Sequence, residues 1–355
     1  MNAHDIAIQR LYSQKLVHTN LTLPGDVLTW LGAVQAQDYS GAKWSIGLRL
    51  PKCTESSVEH AIAEKNILRT WVLRGTLHFV AAADIHWLLD LVSSRIIAGN
   101  KRRYRELELD DHTLVRSNDV LAKALQGPDL LSRKALLAIL EQNGISTEGQ
   151  RAAYMLQRAS LDGLICQGAV HANVPTFMLL DGLPSKVMER DEALAELARR
   201  YFTSRGPATL TDFIWWSGLS AVDARAGMNL VRSQLVQETQ DGQTYWWSAS
   251  FPPVQDNSQT IYLLPGFDEY LLAYKDRSAS LNVPHYKRLT PTNGILPATI
   301  VINGRVAGTW KRTFKKDTVL ITLTPFDPFT GGEGNMLGAA ACSFGEFLGM
   351  PIELI

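Results

Sequence analysis

Apolar residues along this chain recur at helical spacing, stop at short turn signals, and then give way to strand-like runs. The pattern occurs more than once. In SRKALLAILEQNG (132–144) the large aliphatic residues fall every three or four positions, and Asn143-Gly144 closes the run as a helix C-cap. STEGQRAAYMLQRASLDG (146–163) is a second helical run, starting at Ser146 or Gly149 and stopping at Asp162-Gly163. Two strand-like pieces, LICQGAV and TFMLL, follow around a turn at His171-Ala172-Asn173-Val174-Pro175. Helix, turn, helix and hairpin is the plan of a winged helix. It returns as TLTDFIWWSGLS (209–220), capped by Thr209 or Thr211, then SAVDARAGMNLVRSQLVQ (220–237), then a hairpin over 235–248 turning at Asp241-Gly242. A looser version opens the chain, with VLTWLGAVQ and SSVEHAIAEKN as helices and ILRTWVLRGTLHFVAA (67–82) as a strand or hairpin.

From position 261 the texture changes. IYLLPGFDEYLLAYKDRS opens as a strand, and residues 299–326 read as two or three strands, with Asn303-Gly304 as a type I′ turn and Lys316-Asp317 as a second turn. A closing helix is expected over about 336–349. The expected fold class is therefore α+β, with units at 1–115, 116–184 and 185–258 and a β-rich segment at 259–355. Linkers near Asn118, Pro184 and Pro252 are short, which predicts one rigid body.

Composition narrows the class of function. The chain has 355 residues, 46% apolar and 20% charged, with zero formal net charge, so indiscriminate polyanion binding is disfavoured while a local basic stripe stays open. Cys53, Cys166 and Cys342 lie far apart, form no metal or redox motif, and fit a reducing compartment. The start, MNAHDIAIQR, lacks the regions of a secretion signal, and no run approaches the roughly 20 apolar residues of a membrane span. A cytoplasmic protein without membrane attachment is expected. No glycine-rich stretch has the order of a nucleotide-binding loop, and no His, Cys and carboxylate spacing suits a metal, so neither cofactor nor metal is expected.

The chemistry gathers around AVQAQDYSGAKWS (33–45), where Gln35 and Gln37 flank Ala36 just past the apolar LTWLG. Residues two apart on a helix point to nearly opposite sides, so both amides reach one site only if the helix stops and the chain becomes extended. Asp38-Tyr39-Ser40-Gly41 is the expected terminator; the plainer reading of the pair is a polar helix end. An amide does not deprotonate water near neutral pH, but it can donate to and accept from one water molecule and fix its lone pair. That suffices when the leaving group is already good. A purine alkylated at N7 is cationic, and its glycosidic bond breaks without an acid. Each such placement of a water contributes about 10²- to 10³-fold. Asp38 either supports a sugar cation or caps a helix.

RTWVLRGTLH (69–78) offers two registers. As one strand it puts Thr70, Val72, Arg74, Thr76 and His78 on a polar face that would form a wall toward phosphate or base. If Arg74-Gly75 turns the chain instead, Arg74 reads as an ion-pair partner and His78 as a core-edge imidazole. The densest basic groups are Lys101-Arg102-Arg103-Tyr104-Arg105, which runs into acidic residues and reads as solvated surface, and Lys311-Arg312 with Lys315-Lys316 on a hairpin. Trp215-Trp216 and Trp246-Trp247 read as one core ring and one accessible ring in each pair. Asp268 and Glu269 read as structural partners joining the β segment to the helical units.

VQAQDYSGAKW, RTWVLRGTLHFV (69–80), RGPATLTDFIWWSGL (205–219), LLPGFDEYLLAYKDR (263–277) and VINGRVAGTWKR (301–312) together resemble bacterial alkylpurine DNA glycosylases of the AlkZ type. The resemblance runs over essentially the whole chain. It implies three tandem winged-helix units around a concave DNA channel, with a β-rich C-terminal segment. The family signature of glutamine, hydrophobic residue and glutamine falls on Gln35, Ala36 and Gln37, which implies these two as catalytic residues. The sister YcaQ type ends the triplet in aspartate, so the triplet here is similar to the AlkZ side. The candidate contacts to DNA or substrate are Asp38, Tyr39, Lys43, Trp44, Arg69, Arg74, Thr76, His78, Lys311 and Arg312, with Trp44 alternatively in the core. The partner so implied is double-stranded DNA bearing alkylated purines, bound by a monomer. Expected chemistry is monofunctional, because no lysine lies within the motif. The rivals are a winged-helix regulator without catalysis and a protein that sequesters a genotoxin.

Overall fold

The computed structural model of the chain describes residues 1–127, 130–171, 174–183, 186–250, 259–289 and 295–355, so the expected linkers at Pro184 and Pro252, and Ala172-Asn173 of the expected turn, lie outside the described residues. Helices α1 (Ala3–Ser13) and α2 (Pro24–Leu31) come first, then the short strand β1 (Val34–Gln35), α3 (Tyr39–Gly47) and α4 (Glu55–Ala63). A hairpin of β2 (Ile67–Val72) and β3 (Thr76–Ala81) leads into the long α5 (Ile85–Glu106). Next are α6 (Asp111–Ala124), β4 (Leu131–Ser132), α7 (Arg133–Gln142), α8 (Arg151–Leu161), β5 (Ile165–His171) and β6 (Val174–Leu179). They are followed by α9 (Arg190–Arg205), α10 (Leu210–Ser217), α11 (Ala221–Leu230), β7 (Leu235–Gln240) and β8 (Gln243–Ser248). The C-terminal part holds β9 (Ile261–Leu264), α12 (Glu269–Leu272), α13 (Val283–Leu289), β10 (Thr299–Ile302), β11 (Arg305–Phe314), β12 (Val319–Pro325), α14 (Gly331–Leu348) and β13 (Ile352–Leu354).

These elements form three sheets. Strands order as β1-β3-β2-β5-β6-β4 in the first, β13-β12-β11-β10-β9 in the second, and β7-β8 in the third. The hairpins of the first two helical stretches thus share one sheet, joined where Arg69 pairs with Gln167. Asn303 and Gly304 turn with φ of 48° and 77°, and Asp241 and Gly242 with 50° and 76°, the left-handed pairs that two-residue hairpins require.

Local chemistry explains where the elements depart from the expected ones. The helix read through VLTWLGAVQ stops at Leu31, because Gly32 adopts φ 77° and its N–H caps Leu28 O. Val34-Gln35 is then strand, paired with His78 and Phe79 of β3. Asp38 terminates no helix. It begins α3, accepting the Gly41 N–H at 3.0 Å. The junction expected near Asn118 is inside α6, α11 ends at Leu230 rather than 237, and α14 begins at Gly331 behind a Thr330–Glu333 capping box. Helices α1, α3, α6, α9, α12 and α13 had no counterpart in the sequence reading.

Arg74-Gly75 does turn the chain, with φ of 52° and 74°, and Thr70 then pairs with His78 and Val72 with Thr76. These residues still share a face, but it is an interior one. Leu68, Val72 and Val80 of that face join one core cluster, while Ile67, Phe79 and Ala81 of the other join a second. The expected wall toward phosphate therefore does not exist, and His78 is fully buried. Its Nδ1 lies 2.9 Å from Thr76 O, which can only accept, so the neutral ring carries its hydrogen there. Burial, then repulsion from Arg74 and Arg205, lowers the imidazole pKa to about 3 against the weaker opposing pull of the Thr76 carbonyl.

The parts are clamped by buried ion pairs on α12. Glu269, wholly buried, receives Arg205 Nη2 at 2.7 Å and Trp216 Nε1 at 2.8 Å. Arg205 also donates to Leu31 O at 2.6 Å and Ala33 O at 3.1 Å. Asp268 takes a two-pronged pair from Arg49 at 2.9 and 3.0 Å, and Ser45 Oγ at 2.6 Å. Burial alone would raise the Asp268 carboxyl, but the Arg49 charge and these hydrogen bonds hold it below the usual aspartate value. Both carboxylates thus join the β segment to the helical units, as the sequence suggested.

Glu269→Gln leaves the Arg205 charge buried and unpaired, and should cost about 3–5 kcal/mol in urea unfolding; an unchanged midpoint would show that the clamp carries no load. His78 gives a pH signature. Unfolded imidazole binds a proton below about 6.5 and the folded one only near 3, so stability is complete above the upper value and falls as pH drops between them, by up to about 1.4 kcal/mol per pH unit. Unfolding measured from about pH 6.5 to 5 should show wild type losing roughly 2 kcal/mol more than His78→Gln. Equal losses would contradict a neutral buried His78.

Candidate catalytic and nucleic-acid site

Past Gly32 the backbone is extended, so side chains alternate and residues two apart share a side. Val34 and Ala36 point into the second core cluster and are wholly buried. Gln35, between them, therefore projects away from that core, and Gln37, in the bend that follows, is exposed. The Ala36 N–H bonds to Leu77 O at 2.8 Å, holding the triplet along β3.

The two amides differ in setting. Gln37 is exposed, and its Oε1 accepts the Leu77 N–H at a long 3.4 Å. Gln35 is only 7% exposed and forms part of a buried floor, whereas Gln37 lies open at the surface. The Gln35 backbone N–H donates to Glu269 Oε1 at 3.2 Å, and its side-chain Oε1 accepts from Arg74 Nη2 at 2.9 Å. Arg74 also donates to Trp216 O, so its guanidinium faces protein acceptors rather than phosphate. Burial pulls the Arg74 pKa down, with Glu269 pulling it back up.

Several residues expected to touch DNA instead build the floor from behind. Lys43 is buried and paired with Glu59 at 2.5 Å and Glu55 at 2.7 Å. Trp44 is a core ring whose Nε1 donates to Leu263 O at 2.8 Å. Arg69 is buried, with Nε and Nη2 on Ala36 O at 3.0 and 2.7 Å and Nη1 on Gln167 Oε1; burial lowers its pKa to about 10. His78 is interior. Tyr39 donates to Glu59 at 3.0 Å and is half-buried, and Thr76 is half-buried with Oγ1 lacking a protein partner among the described residues. For Lys43, Trp44 and Arg69 an interior partner from another element offsets the cost of burying the polar group, and for His78 the Thr76 carbonyl of its own hairpin does so.

Asp38, besides capping α3, accepts from Arg312 Nη2 at 3.1 Å. That pair docks the β11–β12 hairpin beside Gln37. Lys311, next to Arg312, is exposed, as are Lys315 and Lys316 at the hairpin end. Arg102 and Arg103 both bond to Glu106, which fits the reading of the α5 cluster as solvated surface. Trp216 is core and Trp215 is 43% exposed, but Trp246 and Trp247 are both buried, correcting the expectation of one accessible ring in each pair. A cavity of about 1080 Å³ lies between the start of α10 and residues 275–287, and neither glutamine lines it. Among the described residues no group of three or more His, Cys, Asp or Glu could hold a metal, and no helix is long and apolar enough to cross a membrane. Arg205 was the clamp residue the sequence reading missed. Nothing in LARRYFTSR, the end of α9 with its three arginines, singles it out from its neighbours.

The site can be set beside known proteins. The family model described as DNA glycosylase AlkZ-like matches residues 28–347. A protein of Streptomyces sahachiroi described as an interstrand DNA cross-link repair glycosylase is 25% identical over 319 residues, covering 85% of this chain and 84% of its own. The solved structure of Streptomyces sahachiroi DNA glycosylase AlkZ aligns over 100% of both chains with a TM-score of 0.80 at 22% identity, a likeness of fold. With its glutamine triplet inside the matched span, the chain belongs to the AlkZ-like DNA glycosylase family.

Proposed function

We propose that this glycosylase excises cationic, N7-alkylated purines from duplex DNA, bulky and crosslinked adducts included, with one water held between Gln35 and Gln37. What supports the reading is the extended backbone at Val34–Gln35, which turns Gln35 away from the core that takes Val34 and Ala36, with Gln37 exposed two residues further on. In the reaction the C1′–N9 bond breaks with its electron pair passing to the purine, neutralising the cation. The water oxygen bonds to C1′ and its surplus proton passes to solvent. No strong base is required, in keeping with carboxylates that are already engaged: Asp38 with its cap and Arg312, Glu269 with Arg205. Lys43, the lysine nearest the motif, is locked in ion pairs, which favours hydrolysis over Schiff-base chemistry.

The three helix–helix–hairpin stretches serve in this reading as winged-helix units around a duplex-binding channel, with Lys311 as a phosphate contact and the protein acting as a monomer in the cytoplasm. The relative's printed role in crosslink repair supports extending the substrate to crosslinked purines.

Free base released from duplex DNA containing N7-methylguanine, under single turnover, tests the proposal. Gln35→Ala and Gln37→Ala should each slow release by about 10²- to 10³-fold. Wild type that binds the duplex but releases no more base than buffer, for both simple and crosslinked lesions, would make the protein a binding module. Lys311→Ala should weaken duplex binding and lower the slope of log K against log salt by about 1; an unaltered slope would remove Lys311 from the interface.

A further inference from the structure

Arg74 occupies a place the backbone would reserve for glycine. Its φ of 52° lies in the left-handed region, where a side chain is disfavoured, and Gly75 follows at 74°. The turn is pinned from three elements nonetheless. Gln157 on α8 donates to Gly75 O at 2.9 Å and is itself held by Asn100 on α5 at 2.9 Å. Gly218, past the end of α10, packs so closely that a Cβ there would stand 2.9 Å from Arg74 N. A costly backbone kept this firmly, at a position where glycine would be free, implies that the side chain is needed.

That side chain ends on Gln35. Guanidinium has five donors and no acceptor, so the Gln35 atom facing it must be oxygen, and the NH₂ end must point the other way. We propose that Arg74 is a positioning residue that fixes the polarity of the Gln35 carboxamide, making the two glutamines unequal partners. This rests on the reading of the pair given above. Gln35 presents its N–H to the oxygen of the bound water. Gln37, whose oxygen has a single long bond among the described residues, keeps a carbonyl lone pair for one of that water's hydrogens. Without Arg74 the Gln35 amide can flip by half a turn, two acceptors then face the water, and its lone pair is no longer aimed at the sugar.

Arg74→Gly suits the test because glycine relaxes at this φ and the turn keeps its other clamps. Single-turnover release of N7-methylguanine should fall by about 10- to 100-fold, the loss expected for one charged hydrogen bond, with duplex affinity unchanged. Sub-denaturing guanidinium should restore part of the rate and matched sodium chloride should not. In a Gln35→Ala background Arg74→Gly should add no further loss and show no rescue. A drop in affinity instead of rate, or an equal loss in both backgrounds, would make Arg74 a DNA contact or a fold residue and overturn the proposal. The side-chain NH₂ resonances of selectively ¹⁵N-labelled glutamines give a readout free of activity. Those of Gln35 should shift in Arg74→Gly while those of Gln37 stay. If wild type releases no base but the resonances behave this way, the glycosylase reading fails and the positioning stands; if Gln35 resonances are indifferent to Arg74, the positioning fails on its own.

Discussion

The buried pair between Arg205 and Glu269 is the constraint on which the candidate site depends. Neither residue has any exposure, and between them they reach four groups in two other segments: the carbonyls of Leu31 and Ala33 with the backbone N–H of Gln35, and the indole of Trp216. A charge pair taken out of water contributes little net stability unless its remaining hydrogen-bonding capacity is met. Here it is met by the very backbone that becomes extended after Gly32. The ion pair therefore acts mainly as a template: the path of residues 31–35 is the one that satisfies it, and that path sets Gln35 opposite His78 of β3 and within reach of Arg74.

A site made of uncharged amides also suits its surroundings. Arg74 and Arg205 already lie near Gln35, and Glu269 largely answers them. A further ionised group beside the pair would need its own buried counter-charge. Carboxamides avoid that cost while still offering donors and acceptors in fixed directions. In the proposed reaction they would also leave the local field nearly unchanged as a cationic base arrives and departs neutral. His78, held neutral on the adjacent strand, adds no third cation to this group.

Much of this was legible in the sequence where one residue type answers one local demand. Asn303-Gly304 and Asp241-Gly242 announce hairpins because their dihedrals need left-handed residues. Gln35 and Gln37 stand out by a spacing of two. The run through VLTWLGAVQ misled because Val34 lies three residues past Leu31 and so continues the helical spacing, with Gly32 alone marking the break. Lys43, Arg69 and His78 were harder still. Charge and polarity read as surface in one dimension, and only the fold reveals that their partners come from α4, from the Ala36 carbonyl and β5, and from the hairpin's own backbone. The partners of Gln35 lie 39 and 234 residues away, too far for any pattern to connect.

Ala36, the unremarked centre of the triplet, then acquires a meaning of its own. Its methyl is sunk in the core and its carbonyl is gripped twice by Arg69, so it works as a bolt through the strand. The depth of that bolt governs how Gln35 sits in the floor and how far Gln37 stands above it. Relatives or designed variants with a bulkier apolar residue here would lift the two amides together, altering reach toward deoxyribose without exchanging a single reactive group.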